Sequence, residues 1–149
     1  MSISNSRAWT DFRFEGRILL VDDASDNRRI LSYFLARAGA DVVMAEDGRR
    51  ALEIFDAENA LGGAFDAVVT DMEMPELDGF ELASLLRMRG ATIPVVACTA
   101  STSAAVIERC FAAGCSAYVA KPVIASDLMQ TVAAALAANP ATLSLAGTR

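Results

Sequence analysis

Five side chains in this sequence are the right types for phosphoryl chemistry, and each stands where a short apolar run ends. Asp22 and Asp23 follow Ile18-Leu19-Leu20-Val21, and Asp71 follows Ala67-Val68-Val69-Thr70. Thr99 follows Val95-Val96-Ala97-Cys98, and Lys121 follows Ala117-Tyr118-Val119-Ala120. Continuous apolar runs between helical patterns read as parallel strands buried on both faces. In an open parallel sheet, ligands bind at the carboxyl ends of the strands. Three carboxylates, a hydroxyl and an ammonium are therefore expected in one crevice. Three converging carboxylates repel one another, and a hard divalent cation resolves this; Mg²⁺ prefers oxygen ligands and keeps several waters. A carboxylate held beside Mg²⁺ can attack a phosphoryl group and become an aspartyl phosphate. The metal neutralises charge on the transferring oxygens. Lys121 can hold another phosphoryl oxygen and Thr99 can hydrogen-bond a third. The plain alternative is a set of solvated caps and turn residues, which suits a lone aspartate better than three with Lys121.

The elements that must position these groups follow from periodicity. From Gly16 onward strand and helix signals alternate. The first helix carries Ile30, Leu31, Phe34, Leu35 and Ala38 on one face, with Arg28, Arg29 and Arg37 off it. Gly39 is placed to stop it as a left-handed cap. Val42-Val43-Met44-Ala45 is the second strand, and the next helix buries Ala51, Leu52, Ile54 and Phe55 before Gly62-Gly63. Asp78-Gly79 opens a third helix with Asp78 as N-cap and Phe80, Leu82, Ala83, Leu85 and Leu86 as its apolar members. A fourth helix runs from about Ser103 to Ala113 and stops at Gly114. Ser126 or Asp127 caps a fifth, which ends near Ala138 before Asn139-Pro140. Five short strands alternating with helices give an α/β, doubly wound parallel sheet with helices on both faces.

Composition narrows the chemistry further. The 149 residues suit one domain, at 16–138, with 1–15 as a leader or linker and 139–149 as a tail. The leader carries three aromatics, Trp9, Phe12 and Phe14, whose role its pattern does not specify. There is no histidine, which removes His triads, His-ligated zinc and a phosphohistidine of its own. Cys98, Cys110 and Cys115 form no CxxC pair and read as reduced, buried thiols of a cytoplasmic protein. The formal charge of −6 argues against direct nucleic-acid binding. No apolar run approaches the roughly 20 residues that span a bilayer, and the N-terminus lacks the pattern of a secretory signal.

Taken in order, Val21-Asp22-Asp23, the run from Asp71 to Gly79 (Asp-Met-Glu-Met-Pro-Glu-Leu-Asp-Gly), Thr99-Ala100 and Lys121-Pro122 resemble the receiver domain of two-component response regulators. The resemblance covers roughly residues 16 to 138. It implies a flavodoxin-like fold with strand order 2-1-3-4-5. It implies that Asp71 is the phosphoacceptor, served by a phosphohistidine on a sensor histidine kinase or a histidine phosphotransfer protein. By the same resemblance, Asp23 and Asp71 ligate Mg²⁺ directly, Asp22 supports it through water, and the backbone carbonyl of Glu73 is a further ligand. Tyr118 and Thr99 stand at the positions of the family's aromatic and hydroxyl switch. Glu73 and Ser101 flank the expected phosphoryl position; they either orient or exclude an attacking water, or point to solvent. Pro122 is a candidate for a cis peptide bond.

The Met-x-Met-Pro run after Asp71 is more similar to receivers of hybrid sensor kinases than to those of DNA-binding regulators. The fifth helix is nearly uncharged and lacks the salt-bridge pattern of winged-helix regulators that dimerise through that face. A phosphorylation-dependent dimer is left open. The expectation is a switch that catalyses only its own phosphotransfer and dephosphorylation, either a stand-alone receiver or part of a hybrid kinase. The 11 residues after Ala138 are too few for an output domain, which leaves output to a partner or an attached domain. Two rivals remain. A haloacid-dehalogenase-type phosphatase would need Asp-x-Asp and a cap insertion, where this chain has Asp22-Asp23-Ala24 and no insertion. A degenerate receiver would not need the complete acidic set and Lys121.

Overall fold

A computed structural model describes residues 8–138. Within them lie the strands β1 (Arg17–Val21), β2 (Asp41–Ala45), β3 (Ala67–Asp71), β4 (Val95–Thr99) and β5 (Ala117–Ala120). The helices are α1 (Ser25–Ala38), α2 (Gly48–Ala60), α3 (Gly79–Met88), α4 (Ala104–Ala113) and α5 (Ala125–Ala138). All strand pairs are parallel, in the order β2-β1-β3-β4-β5. The register sets Val21 beside Thr70 and Asp71 beside Cys98, so the acidic ends of β1 and β3 and the hydroxyl end of β4 finish at one edge.

Side-chain alternation splits the core into two layers, as period-2 strands require. Leu19, Val21, Val68, Val95 and Ala97 pack with α2, α3 and α4. Ile18, Leu20, Ala67, Val69, Val96, Cys98 and Val119 face α1 and α5. All five residues of β3 and of β4 are buried, which accounts for the apolar residues that lead up to Thr70-Asp71 and to Thr99. The three cysteines are free and buried. Among the described residues no helix is long and apolar enough to cross a membrane.

Helix boundaries mostly follow the sequence. Gly39 and Gly114 cap α1 and α4 in the left-handed conformation, at φ 117° and 115°. Ser103 is the N-cap of α4, its hydroxyl accepting from Val106 N–H. Two expectations are corrected. α5 starts at Ala125, so Ser126 and Asp127 lie inside its first turn, where Asp127 complements the positive end of the helix dipole. On α1 only Leu31, Leu35 and Ala38 are buried, while Ile30 is 51% exposed: the apolar stripe is wider than the sheet can cover. Asn139-Pro140 lies outside the described residues.

Residues 8–15 also contribute packing. A 3-10 turn, Trp9–Asp11, delivers Phe12 into the α1/α5 core layer at 6% exposure. Trp9 lies against Phe34 and Tyr33, with ring centroids 4.8 and 6.0 Å apart. Phe14 N–H donates to the Ala38 carbonyl at 3.0 Å.

Candidate functional site

The crevice at the carboxyl edge of the sheet assembles from four strand ends. Asp22 and Asp23 continue β1, Asp71 is the last residue of β3, Thr99 the last of β4, and Lys121 follows β5. Carboxylate oxygens of Asp22, Asp23 and Asp71 lie within 4.8 Å of one another. Asp22 and Asp71 are buried and Asp23 is exposed. An all-oxygen set from three acids, open to solvent on the Asp23 side, suits a hard divalent cation that retains water. The expected cluster of Asp22, Asp23 and Asp71 therefore does come together.

Local structure fixes Asp22 and Asp71. The Asp22 carboxylate accepts from Ala24 N–H at 2.8 Å, and Arg28 Nη1 donates to the Asp22 carbonyl at 2.7 Å, tying the loop to α1. Asp71 Oδ1 accepts from Glu73 N–H at 3.0 Å and pairs with Lys121 Nζ. The loop after β3 is braced by α3. Asp78 caps α3 through Glu81 N–H at 2.8 Å, and the Glu81 carboxylate accepts in return from Asp78 N–H at 3.1 Å, completing a capping box. Gly79 packs on the end of β3: a Cβ there would stand 2.5 Å from the Asp71 carbonyl oxygen and 2.7 Å from Met72 Cα. The sequence marks Gly79 as a helix opener. The close approach to Asp71 is visible only in three dimensions.

Electrostatics follow from burial and partners. Burial pushes the Asp71 carboxyl above the ordinary aspartate range, against the pull of Lys121 and the Glu73 N–H, with Asp22 adding to the rise. Burial lowers the Lys121 ammonium, yet Asp71 and Glu73 outweigh it and hold the group above the ordinary lysine range. Both partners rise because Asp71 is the more deeply buried of the two: its side chain is 4% exposed, against 24% for Lys121. Lys121 is thus a fixed cation whose charge is maintained by the acids it neutralises.

The Glu73 carboxylate turns in toward the ends of β4 and β5, while the side chain as a whole stays 44% exposed. Its Oε2 accepts from Thr99 Oγ1 at 2.8 Å, and its Oε1 accepts from Ala100 N–H at 3.2 Å and lies 3.2 Å from Lys121 Nζ. Burial would raise its carboxyl, but these donors outweigh burial and hold it below the ordinary glutamate range. The Ala100 amide has no side-chain signature, and the sequence reading missed it as a donor; a small residue after a strand-end threonine is the only available hint. Ser101 is exposed; its carbonyl lies 3.1 Å from Thr99 Oγ1 and its hydroxyl bonds to Ser103. Tyr118 is 40% exposed, its ring edge-on to Phe111 at 6.5 Å between centroids. Thr99, the last residue of β4, is fully buried. The Lys121-Pro122 peptide is cis.

The fold agrees with comparisons to known proteins. A family model described as "Response regulator receiver domain" matches residues 18–133. Over 116 residues the chain is 39% identical to the sensor histidine kinase RcsC of Salmonella typhi, covering 78% of this chain and 12% of the kinase. Over 121 residues it is 33% identical to the sensory/regulatory protein RpfC of Xanthomonas campestris pv. campestris, covering 78% of this chain and 16% of that protein. The chemotaxis protein CheY4 of Vibrio cholerae superposes with a TM-score of 0.73 at 30% identity, over 82% of this chain and 99% of that one. A Francisella response regulator receiver domain gives a TM-score of 0.74 at 26% identity, over 81% and 96% of the two chains.

Proposed function

Because this chain belongs to the response regulator receiver domain family of two-component phosphorelay signalling, we propose that it accepts a phosphoryl group on Asp71 and relays the change to a partner or an attached domain. The observation that carries this reading is Asp71 itself: a buried strand-end carboxylate paired with Lys121 and clustered with Asp22 and Asp23. An Asp71 oxygen attacks the phosphorus of a phosphohistidine, the P–N bond breaks, the imidazole leaves with its electron pair and takes a proton, and an acyl phosphate results. Asp22, Asp23, Asp71 and the Glu73 carbonyl would hold Mg²⁺, which supplies positive charge against the transferring oxygens. Lys121 and Thr99 hold the remaining oxygens, where developing charge is stabilised by donors already in place. The same groups act when the phosphoryl is lost to water. Catalysis is confined to this single site and its own phosphate.

The donor is a sensor histidine kinase or a histidine phosphotransfer protein, in line with the kinase relatives, and the site of action is the cytoplasm. The formal charge of −6 sets nucleic acid aside as the direct partner. Output runs through Thr99 and Tyr118. A phosphoryl group rewards a Thr99 hydroxyl that turns toward it, a differential contact that favours one of two arrangements. Tyr118 then turns inward from Phe111 and reshapes the α4-β5-α5 face that a partner, or a second copy of the chain, would read. The test is amide NMR with Mg²⁺ and beryllofluoride, a phosphoryl mimic. Shifts are expected from Ala100 through Tyr118 into α4. Shifts confined to the carboxylate cluster would sink the switch while sparing the acceptor assignment; no binding at all would sink both.

A further inference from the structure

The Glu73 carboxylate sits on a set of donors that the phosphoryl group needs. Thr99 offers a hydroxyl from the end of β4, Ala100 a main-chain N–H from the next residue, and Lys121 an ammonium from the end of β5. All three converge on one side chain carried by the loop after β3. A hydroxyl, an amide and an ammonium aimed at a single anion form an oxyanion cradle, and bonds of this charge-assisted kind are the strong ones. A phosphoryl group on Asp71 would present oxygens to the same donors, because Lys121 Nζ already pairs with both Asp71 and Glu73.

We propose that Glu73 is an internal stand-in for the phosphoryl group: in the unphosphorylated domain its carboxylate fills the cradle of Thr99, Ala100 and Lys121, and phosphorylation must displace it. The functional consequence rests on the reading of Asp71 as acceptor; the contact itself does not. Displacement is feasible because the Glu73 side chain is already 44% exposed and has water to enter. The site is then biased toward the unphosphorylated Asp71 carboxylate. A singly charged carboxylate holds the donors until an anion covalently tethered to Asp71, with more charge and more oxygens, takes them. Glu73 thereby acts as a positioning residue that sets how readily the site takes up an anion, separately from the carboxylates that would hold the cation.

Beryllofluoride affinity in saturating Mg²⁺, read by NMR titration, tests this in the parent, Glu73→Ala and Glu73→Asp. Glu73→Ala should bind about tenfold more tightly, the effect of releasing charge-assisted donors from a competitor. Glu73→Asp keeps the charge on a side chain one methylene too short for the cradle, and should also bind more tightly than the parent. If Glu73→Asp matches the parent while Glu73→Ala gains, charge alone is at work and the proposal is overturned. The second readout needs no phosphoryl mimic. The Ala100 amide proton of the ligand-free protein should shift in both variants as it loses its carboxylate partner, and an unmoved Ala100 resonance overturns the proposal. If neither parent nor variant binds beryllofluoride, the Asp71 acceptor reading fails, and the Ala100 resonance still decides whether Glu73 fills the cradle.

Discussion

The pairing of Lys121 with Asp71 is a measurable energetic coupling. In Lys121→Ala the buried Asp71 carboxylate keeps one N–H donor, from Glu73 at 3.0 Å, while Asp22 and Asp23 remain within 4.8 Å. Removing one partner of a fully buried pair costs about 3–5 kcal/mol, and an exposed pair is worth under ~1 kcal/mol. With Asp71 4% exposed and Lys121 24% exposed, the case lies between; discounting for the wet ammonium gives about 2 kcal/mol in metal-free buffer. That is a fall in Tm of about 5–10 °C for a domain of this size. Asp71→Asn acts in the opposite sense, because burial already holds that carboxyl above its ordinary range. It should leave stability unchanged or raise it. In the Asp71→Asn background Lys121→Ala should cost under ~1 kcal/mol, since only the partly exposed contact with Glu73 remains to be lost. Urea unfolding of the four proteins at neutral pH, with chelator and at low salt, gives the coupling as a double-mutant cycle. If Lys121→Ala costs the same in both backgrounds, Lys121 is not neutralising Asp71 and the electrostatic account of the crevice is wrong.

Three further outcomes follow from the same geometry. Glu73 is held below the ordinary glutamate range, so the stability it contributes is present above about pH 4.3 and lost as pH falls through its lower folded value. Glu73→Gln should therefore be less stable than the parent at neutral pH, with the gap closing on acidification in a urea–pH series; a gap that widens toward acid contradicts the sign. Gly79→Ala forces a Cβ against the Asp71 carbonyl and Met72 and should destabilise by about 1–3 kcal/mol, seen as a lowered urea midpoint; an unshifted midpoint would mean the α3 start is looser than described. Asp23→Asn should weaken Mg²⁺ binding while leaving the fold intact, as followed by a metal titration monitored through Ala24 and Asp71 amides; an unchanged titration excludes Asp23 as a ligand.

Much of this site is legible in sequence because strands buried on both faces must be apolar throughout, so the first polar residue after each run marks the ligand edge. Asp22, Asp71 and Thr99 carry that signal; Lys121 closes an apolar run too, but on the edge strand β5, where only Val119 is buried. The strand order came from the family resemblance, since apolar runs state that strands are buried but not which are neighbours. Phe12 and Trp9 were missed as core and near-core residues because isolated aromatics in a polar segment carry no period. Ile30 was misplaced because a helical stripe can be wider than the surface that covers it. The inward turn of Glu73 was left open between roles by the sequence: it is a loop residue whose partners, Thr99, Ala100 and Lys121, lie 26 to 48 positions away, so no local pattern encodes the contact.

The central claim is that Asp71 is the phosphoacceptor. Incubation with Mg²⁺ and phosphoramidate, followed by intact-mass measurement, tests it most directly. The account predicts a single added phosphoryl group on the parent, removed by hydroxylamine as an acyl phosphate is, and no such adduct on Asp71→Ala. An Asp71→Ala protein that acquires the hydroxylamine-labile adduct as fully as the parent would contradict it.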